Sequence, residues 1–235
     1  MSTSTIATTP GALPGAWPSP RLSVRTACLA SALAIASWVA LAAWTNHSQL
    51  QDSLEQFVWG QSLEWGYWKH PPLTSWLMWA GLQIVGPVPW VTYLLGGLVT
   101  VFTMLCTTRL AQLLAGERVA VLTALLLALH YGFTRRAQMF NHNTVLVACM
   151  ALAALATFHA MQRNRRRDWL LVGLASGLAL MAKYQAAVPL AGLVLVVALS
   201  GRFADTFRAC CWPACARRSS SCRTGCGRCS TTCRP

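Results

Sequence analysis

Six stretches of nearly uninterrupted apolar residues, at about 27–44, 89–108, 119–133, 144–161, 169–182 and 186–200, constrain this chain more than any other feature. A bilayer core is crossed by roughly 20 apolar residues in a helix. Backbone groups inside that core must bond one another, which leaves only helices or closed barrels. A barrel needs residues that alternate between apolar and polar, whereas these runs are continuous. The expected fold is therefore all-α, a polytopic transmembrane helix bundle, and a chain that is 55% hydrophobic and 11% charged suits no soluble alternative. The third and fifth runs are shorter than a full crossing, so their ends are placed only to within several residues.

A formal charge of +13 in a soluble protein would point to nucleic acid. Here the arginines stand at the ends of apolar runs, where the excess of basic residues on the cytoplasmic side of membrane proteins explains them. The expected partner is the lipid bilayer, with no nucleic acid. Arg21 and Arg25 before the first run place the N-terminus in the cytoplasm, and the RNRRRD cluster at 163–168 falls on that same side. The first run is too long for a signal peptide and lacks a clear small-residue cleavage site, so it reads as a retained span. Residues 1–20, rich in Ser, Thr, Pro and Gly, read as a disordered tail, and 21–204 as the membrane-embedded domain.

With this topology the polar stretch from Asp52 to Leu77 emerges on the outer face. Three of the six acidic residues, Asp52, Glu55 and Glu64, fall within thirteen positions there. So do Lys69, His70, Pro71-Pro72 and the aromatics Phe57, Trp59, Trp65, Tyr67, Trp68 and Trp76. Helical spacing puts Leu50, Leu54, Phe57 and Val58 on one face, for lipid or the bundle, and Asp52, Glu55 and Trp59 on another, for water. Ser48 and Gln51 pair as a weak capping box. Pro71-Pro72 must end any helix, and a short apolar helix over 73–85 should follow. The first outer loop thus carries interfacial helices. The chain's two lysines, Lys69 and Lys183, both land outside with the carboxylates, as do Arg135-Arg136, against the charge bias. Asn141 and Asn143 are candidate caps of the fourth span, and His142 between them reads as a cap or loop residue.

Seven of the ten cysteines lie after residue 209. CxxC at Cys226 and Cys229 has the look of zinc ligands, but no second ligand pair stands a dozen residues away with a core between. The expected cause of this Cys- and Arg-rich tail, 205–235, is a shifted reading frame. Leucine codons of the CTG type read one base late give Cys or Trp, and the near absence of lysine fits a GC-rich gene. On that reading the chain is the N-terminal part of a longer protein and has little activity alone.

Taken together, Asp52 with Glu55, the WGYWKHPPLTSWL run, FNHNTVL at the fourth span and AKYQA at the top of the fifth resemble one superfamily. It is that of the membrane glycosyltransferases using polyprenyl-phosphate-linked sugars, the protein O-mannosyltransferases and aminoarabinose transferases. The likeness covers about residues 27–202. It implies a multi-pass enzyme of the bacterial inner membrane that moves a sugar from a polyprenyl phosphate to an acceptor hydroxyl on a glycan, lipid or protein. Asp52 would be the general base, and Glu55 would orient the acceptor or share the proton. Lys69, His70, Lys183, Arg135 and Arg136 would hold the phosphate, Tyr67 with Trp65 and Trp68 would stack on sugar or prenyl chain, and Asn141 would join the same face. No cofactor is implied, and a divalent metal is left open. The alternative is a non-enzymatic membrane protein or transporter fragment, which should show charges at mid-membrane or an internal repeat. Reading the nucleotides of codons 198–215 in all three frames tests the tail: a second frame continuing the apolar pattern is expected, and an intact single frame contradicts it.

Overall fold

Apolar runs of this kind satisfy their backbones by coiling, and helices account for nearly all of the regular structure at residues 22–46 and 49–200, the parts of the chain that the computed structural model describes. No strand occurs among those residues. The helices are α1 (Val24–Thr45), α2 (Gln51–Trp59), α3 (Leu73–Val85), α4 (Val91–Leu129), α5 (Tyr131–Ala137), α6 (His142–Arg163), α7 (Arg166–Ala182) and α8 (Ala187–Leu199), with a 3-10 turn at Tyr184–Ala186. By length and composition α1, α4 and α6 can each cross a bilayer, and α7 and α8 are shorter. Arg21, Ser48, the first tail and the Cys-rich tail lie outside the described residues.

The 39 residues of α4 hold the second and third expected spans as a hairpin. Its turn is Gly116, with φ 84 and ψ −178, a backbone region that only glycine enters without strain. The contacts along α1 show the reversal. Ser31 Oγ donates to the Ala124 carbonyl at 3.0 Å, and Ala27 packs with Val121 and Ala124. Further up α1, Val39 lies against Gly97, and Ile35 clusters with Met104 and Leu127. Climbing α1 therefore means climbing residues 117–129 and descending residues 91–115. The third run was expected to continue to Phe133, but it stops at Leu129. His130 is extended at φ −73 and ψ 116, and the chain restarts as α5.

One end of the bundle gathers the start of α3, α4 and α6, the end of α7, and α2. The opposite end carries the Gly116 turn and the α6–α7 turn. There Asn164 closes α6 in the left-handed conformation, at φ 46, and accepts from Trp169 Nε1 at 3.0 Å. Pro72 precedes α3, whose bounds are those the proline pair implied.

Between α5 and α6 the segment 138–141 is held by a close approach. A methyl at Gly96 would lie 2.8 Å from the Ala137 carbonyl oxygen and 3.1 Å from the Met139 backbone. Phe140, fully buried, anchors the same segment in the cluster of Leu73, Met78, Val91 and Val145. Gly96→Ala should destabilise the protein by about 1–3 kcal/mol, because backbone on both sides must move. Gly173→Ala in α7, where a methyl meets nothing within 4 Å, should be neutral or stabilising. Thermal unfolding in detergent compares them, and equal midpoints would contradict the close-packing account.

Candidate active site

The helix α2 lies across the top of α3 and α6 and turns a polar stripe toward them. Ser53 and Gln56 are buried, whereas Leu54 and Val58 are exposed and Phe57 is half-buried against the core. Of the apolar face expected to meet lipid or the bundle, only Phe57 meets the bundle, and hydrogen bonds dock the buried side of the helix. Ser53 Oγ accepts from the Phe140 backbone N–H at 3.1 Å. Asp52 Oδ2 accepts from Asn141 Nδ2 at 3.0 Å, and Gln56 Nε2 meets His142 Nε2 at 2.9 Å. Three side chains of one helix therefore bind three consecutive residues some 86 to 89 positions away.

The Asn141 amide is fixed by its second job. Its Oδ1 accepts from the Thr144 backbone N–H at 3.0 Å as the cap of α6, so its NH2 must face Asp52. Asp52 is exposed, and its Oδ1 has no partner among the described residues. Asn143 Oδ1 accepts from Lys183 Nζ at 2.8 Å, which brings the top of α7 to the top of α6. Lys69 Nζ lies 2.8 Å from Glu55 Oε1. With the lysine side chain 55% exposed, that pair adds at most about 1 kcal/mol, and its effect is to aim Lys69.

Lys69 is presented by a loop that Tyr67 shapes. The Tyr67 ring stacks on Trp59 at 5.5 Å, its hydroxyl donates to the Ser62 carbonyl at 2.7 Å, and it accepts from the Glu64 N–H at 3.2 Å. Asp52, Glu55, Trp59 and Lys69 share the wall of a surface pocket of about 320 Å3. His70 stands behind them, its ring 3.6 Å from that of His142. Burial lowers the His70 pKa below its ordinary value, Lys183 lowers it further, and Glu55 opposes them.

Asp52, Glu55, Tyr67, Lys69, His70, Asn141 and Lys183 thus stand together, as the shared face expected. Arg135 and Arg136 are exposed on α5, and their side chains make no hydrogen bond or ion pair among the described residues. His142 is no loop residue: it opens α6 and is buried. Ser53, Gln56 and His142 escaped the sequence reading, although the i, i+3 spacing of Ser53 and Gln56 was a visible polar stripe. No group of three His, Cys, Asp or Glu side chains among the described residues is arranged to hold a metal ion.

Residues 69–212 match the dolichyl-phosphate-mannose-protein mannosyltransferase family. The match takes in Lys69, His70, Asn141, His142 and Lys183, and begins after the acidic pair. The lipid A galacturonosyltransferase RgtD of Rhizobium johnstonii is 27% identical over 157 residues, 65% of this chain and 33% of the relative. The lipopolysaccharide core galacturonosyltransferase RgtA of the same organism is 29% identical over 160 residues, 64% of this chain and 31% of the relative. The chain spans about a third of the length of these relatives. No solved structure matches it significantly.

The setting of His70 is measurable. In the folded protein its imidazole should titrate below the ordinary value of about 6.5. Since the fold binds this proton less tightly than the unfolded chain does, His70 favours folding above about pH 6.5 and loses that contribution as pH falls through its lowered value. Histidine NMR should show the midpoint rise in Lys183→Met and fall in Glu55→Gln. A midpoint at or above 6.5 that ignores both changes would contradict this arrangement.

Proposed function

This chain belongs to the dolichyl-phosphate-mannose-protein mannosyltransferase family, and on that premise we propose that its α2–α6 cluster is the active-site end of a membrane glycosyltransferase. The donor is a polyprenyl-phosphate-linked sugar and the acceptor is a hydroxyl on a glycan or lipid. The galacturonosyltransferase relatives point to a lipid A or lipopolysaccharide core acceptor. The basic turns at 109–118 and 163–167 lie at the end away from the cluster, which supports a cytoplasmic N-terminus and a site on the outer face of the inner membrane.

The observation that carries this reading is the pairing of an open carboxylate with two lysines reaching the same place from opposite ends of the described chain. Transfer by inversion needs a base at the acceptor and positive charge at the departing phosphate. Asp52 Oδ1 takes the acceptor proton as the hydroxyl oxygen bonds to the anomeric carbon. The bond from that carbon to the phosphate oxygen breaks, and the oxygen leaves with its electron pair. Lys69 and Lys183 receive the phosphate as compact point charges, and His70 borders it. Glu55 acts through Lys69, which it aims, rather than on the acceptor. Tyr67 shapes the loop, and Arg135 and Arg136 lie outside this set.

Asp52→Asn keeps the size of the side chain and its neighbour Asn141, but cannot take a proton. Sugar transfer by membranes of cells expressing the protein should fall about 100-fold or more, with donor binding retained. Lys69→Met should weaken donor binding as well. Unchanged transfer by Asp52→Asn would remove Asp52 as the base.

A further inference from the structure

We infer that His142 is a further ligand-binding residue, which donates its Nδ1–H to a phosphate oxygen held in this site; the inference rests on the active-site reading above. The argument begins at Ser75, whose hydroxyl donates to Gln56 Oε1 at 3.0 Å. That bond spends the amide oxygen and turns the Gln56 NH2 toward His142 Nε2, 2.9 Å away. An amide nitrogen only donates, so Nε2 accepts, and neutral His142 must carry its proton on Nδ1.

Nδ1 is buried and has no hydrogen-bond partner among the described residues, in a residue that is 6% exposed. Folded proteins leave few buried donors without an acceptor, and each one asks for an explanation. The described residues offer none here. One side of the imidazole is covered by the His70 ring at 3.6 Å, and Trp59 lies close at 5.9 Å. Gln56 occupies the Nε2 edge. What remains is the Nδ1 edge, in the field of Lys69, Lys183 and His70. A donor placed among cations is completed by an anionic oxygen. Neither carboxylate of the cluster bonds this nitrogen: Asp52 bonds Asn141, Glu55 bonds Lys69, and Nδ1 is left without a partner among the described residues. A phosphate oxygen fits the charge and the donor together.

Two substitutions separate this role from a merely structural one. Asparagine at 142 puts an amide where Nδ1 stands but cannot reach Gln56; glutamine reaches Gln56 but leaves the Nδ1 position empty. Protein in nanodiscs of neutral lipid is titrated with undecaprenyl phosphate and, separately, with inorganic phosphate. His142→Gln should weaken binding about tenfold, as expected for loss of one hydrogen bond to a charged group, and His142→Asn should stay within about threefold. The reverse order, or no effect of either, overturns the inference. Dependence seen with inorganic phosphate alone keeps His142 as a phosphate ligand while removing the lipid-linked donor. Should Lys69→Met and Lys183→Met leave binding unchanged, the active-site reading fails and His142 fails with it. If neither variant folds, the wild-type protein decides: 15N NMR of the His142 Nδ1–H should shift on adding undecaprenyl phosphate, and an unmoved resonance refutes the contact.

Discussion

The end of this molecule that carries the candidate site depends on a helix docked by hydrogen bonds. Asp52, Ser53 and Gln56 of α2 each bind one of the residues Phe140, Asn141 and His142. An apolar face tolerates sliding, since any aliphatic neighbour serves about as well as the next. A buried polar side chain that loses its partner costs about 1–3 kcal/mol, so α2 has one register on α6. That register puts an open carboxylate oxygen, two lysines and two histidines around one place.

The charges around this place are arranged rather than strong. The Lys69–Glu55 pair is half exposed and stabilises little, and Lys183 is held by the neutral Asn143. Neither lysine is committed to a buried ion pair that a ligand would have to break. On the proposed reading both can turn to an arriving phosphate, while burial and the Lys183 charge lower the His70 pKa. Rigidity is supplied elsewhere: Phe140 is locked into the core, Gly96 lets the 137–139 backbone approach α4, and Asn141 is tied at both ends of its amide.

Where the sequence reading succeeded, local rules governed. The proline pair set the start of α3, and the gap between the apolar runs 89–108 and 119–133 marked a turn that Gly116 makes through a positive φ. The shared face of Lys69, Lys183 and the acidic pair followed from counting crossings, and the hydrogen bonds of Asn143 and Glu55 agree with it. The failures have a common cause. A serine and a glutamine on a surface helix look solvated, and a histidine between two asparagines looks like a cap, until the partner is known. That partner lies more than 80 residues away, and no local spacing encodes it.

A photoreactive polyprenyl phosphate, with a diazirine beside the phosphate, tests the central claim that α2 and α6 together form the anion site. Irradiated with the protein in nanodiscs, it should label peptides from both 52–70 and 140–143, and excess unmodified lipid phosphate should suppress both adducts together. Labelling confined to the apolar groove between α1 and α4, lined by Leu33, Ala36 and Leu98, with nothing on either polar segment, would contradict the account.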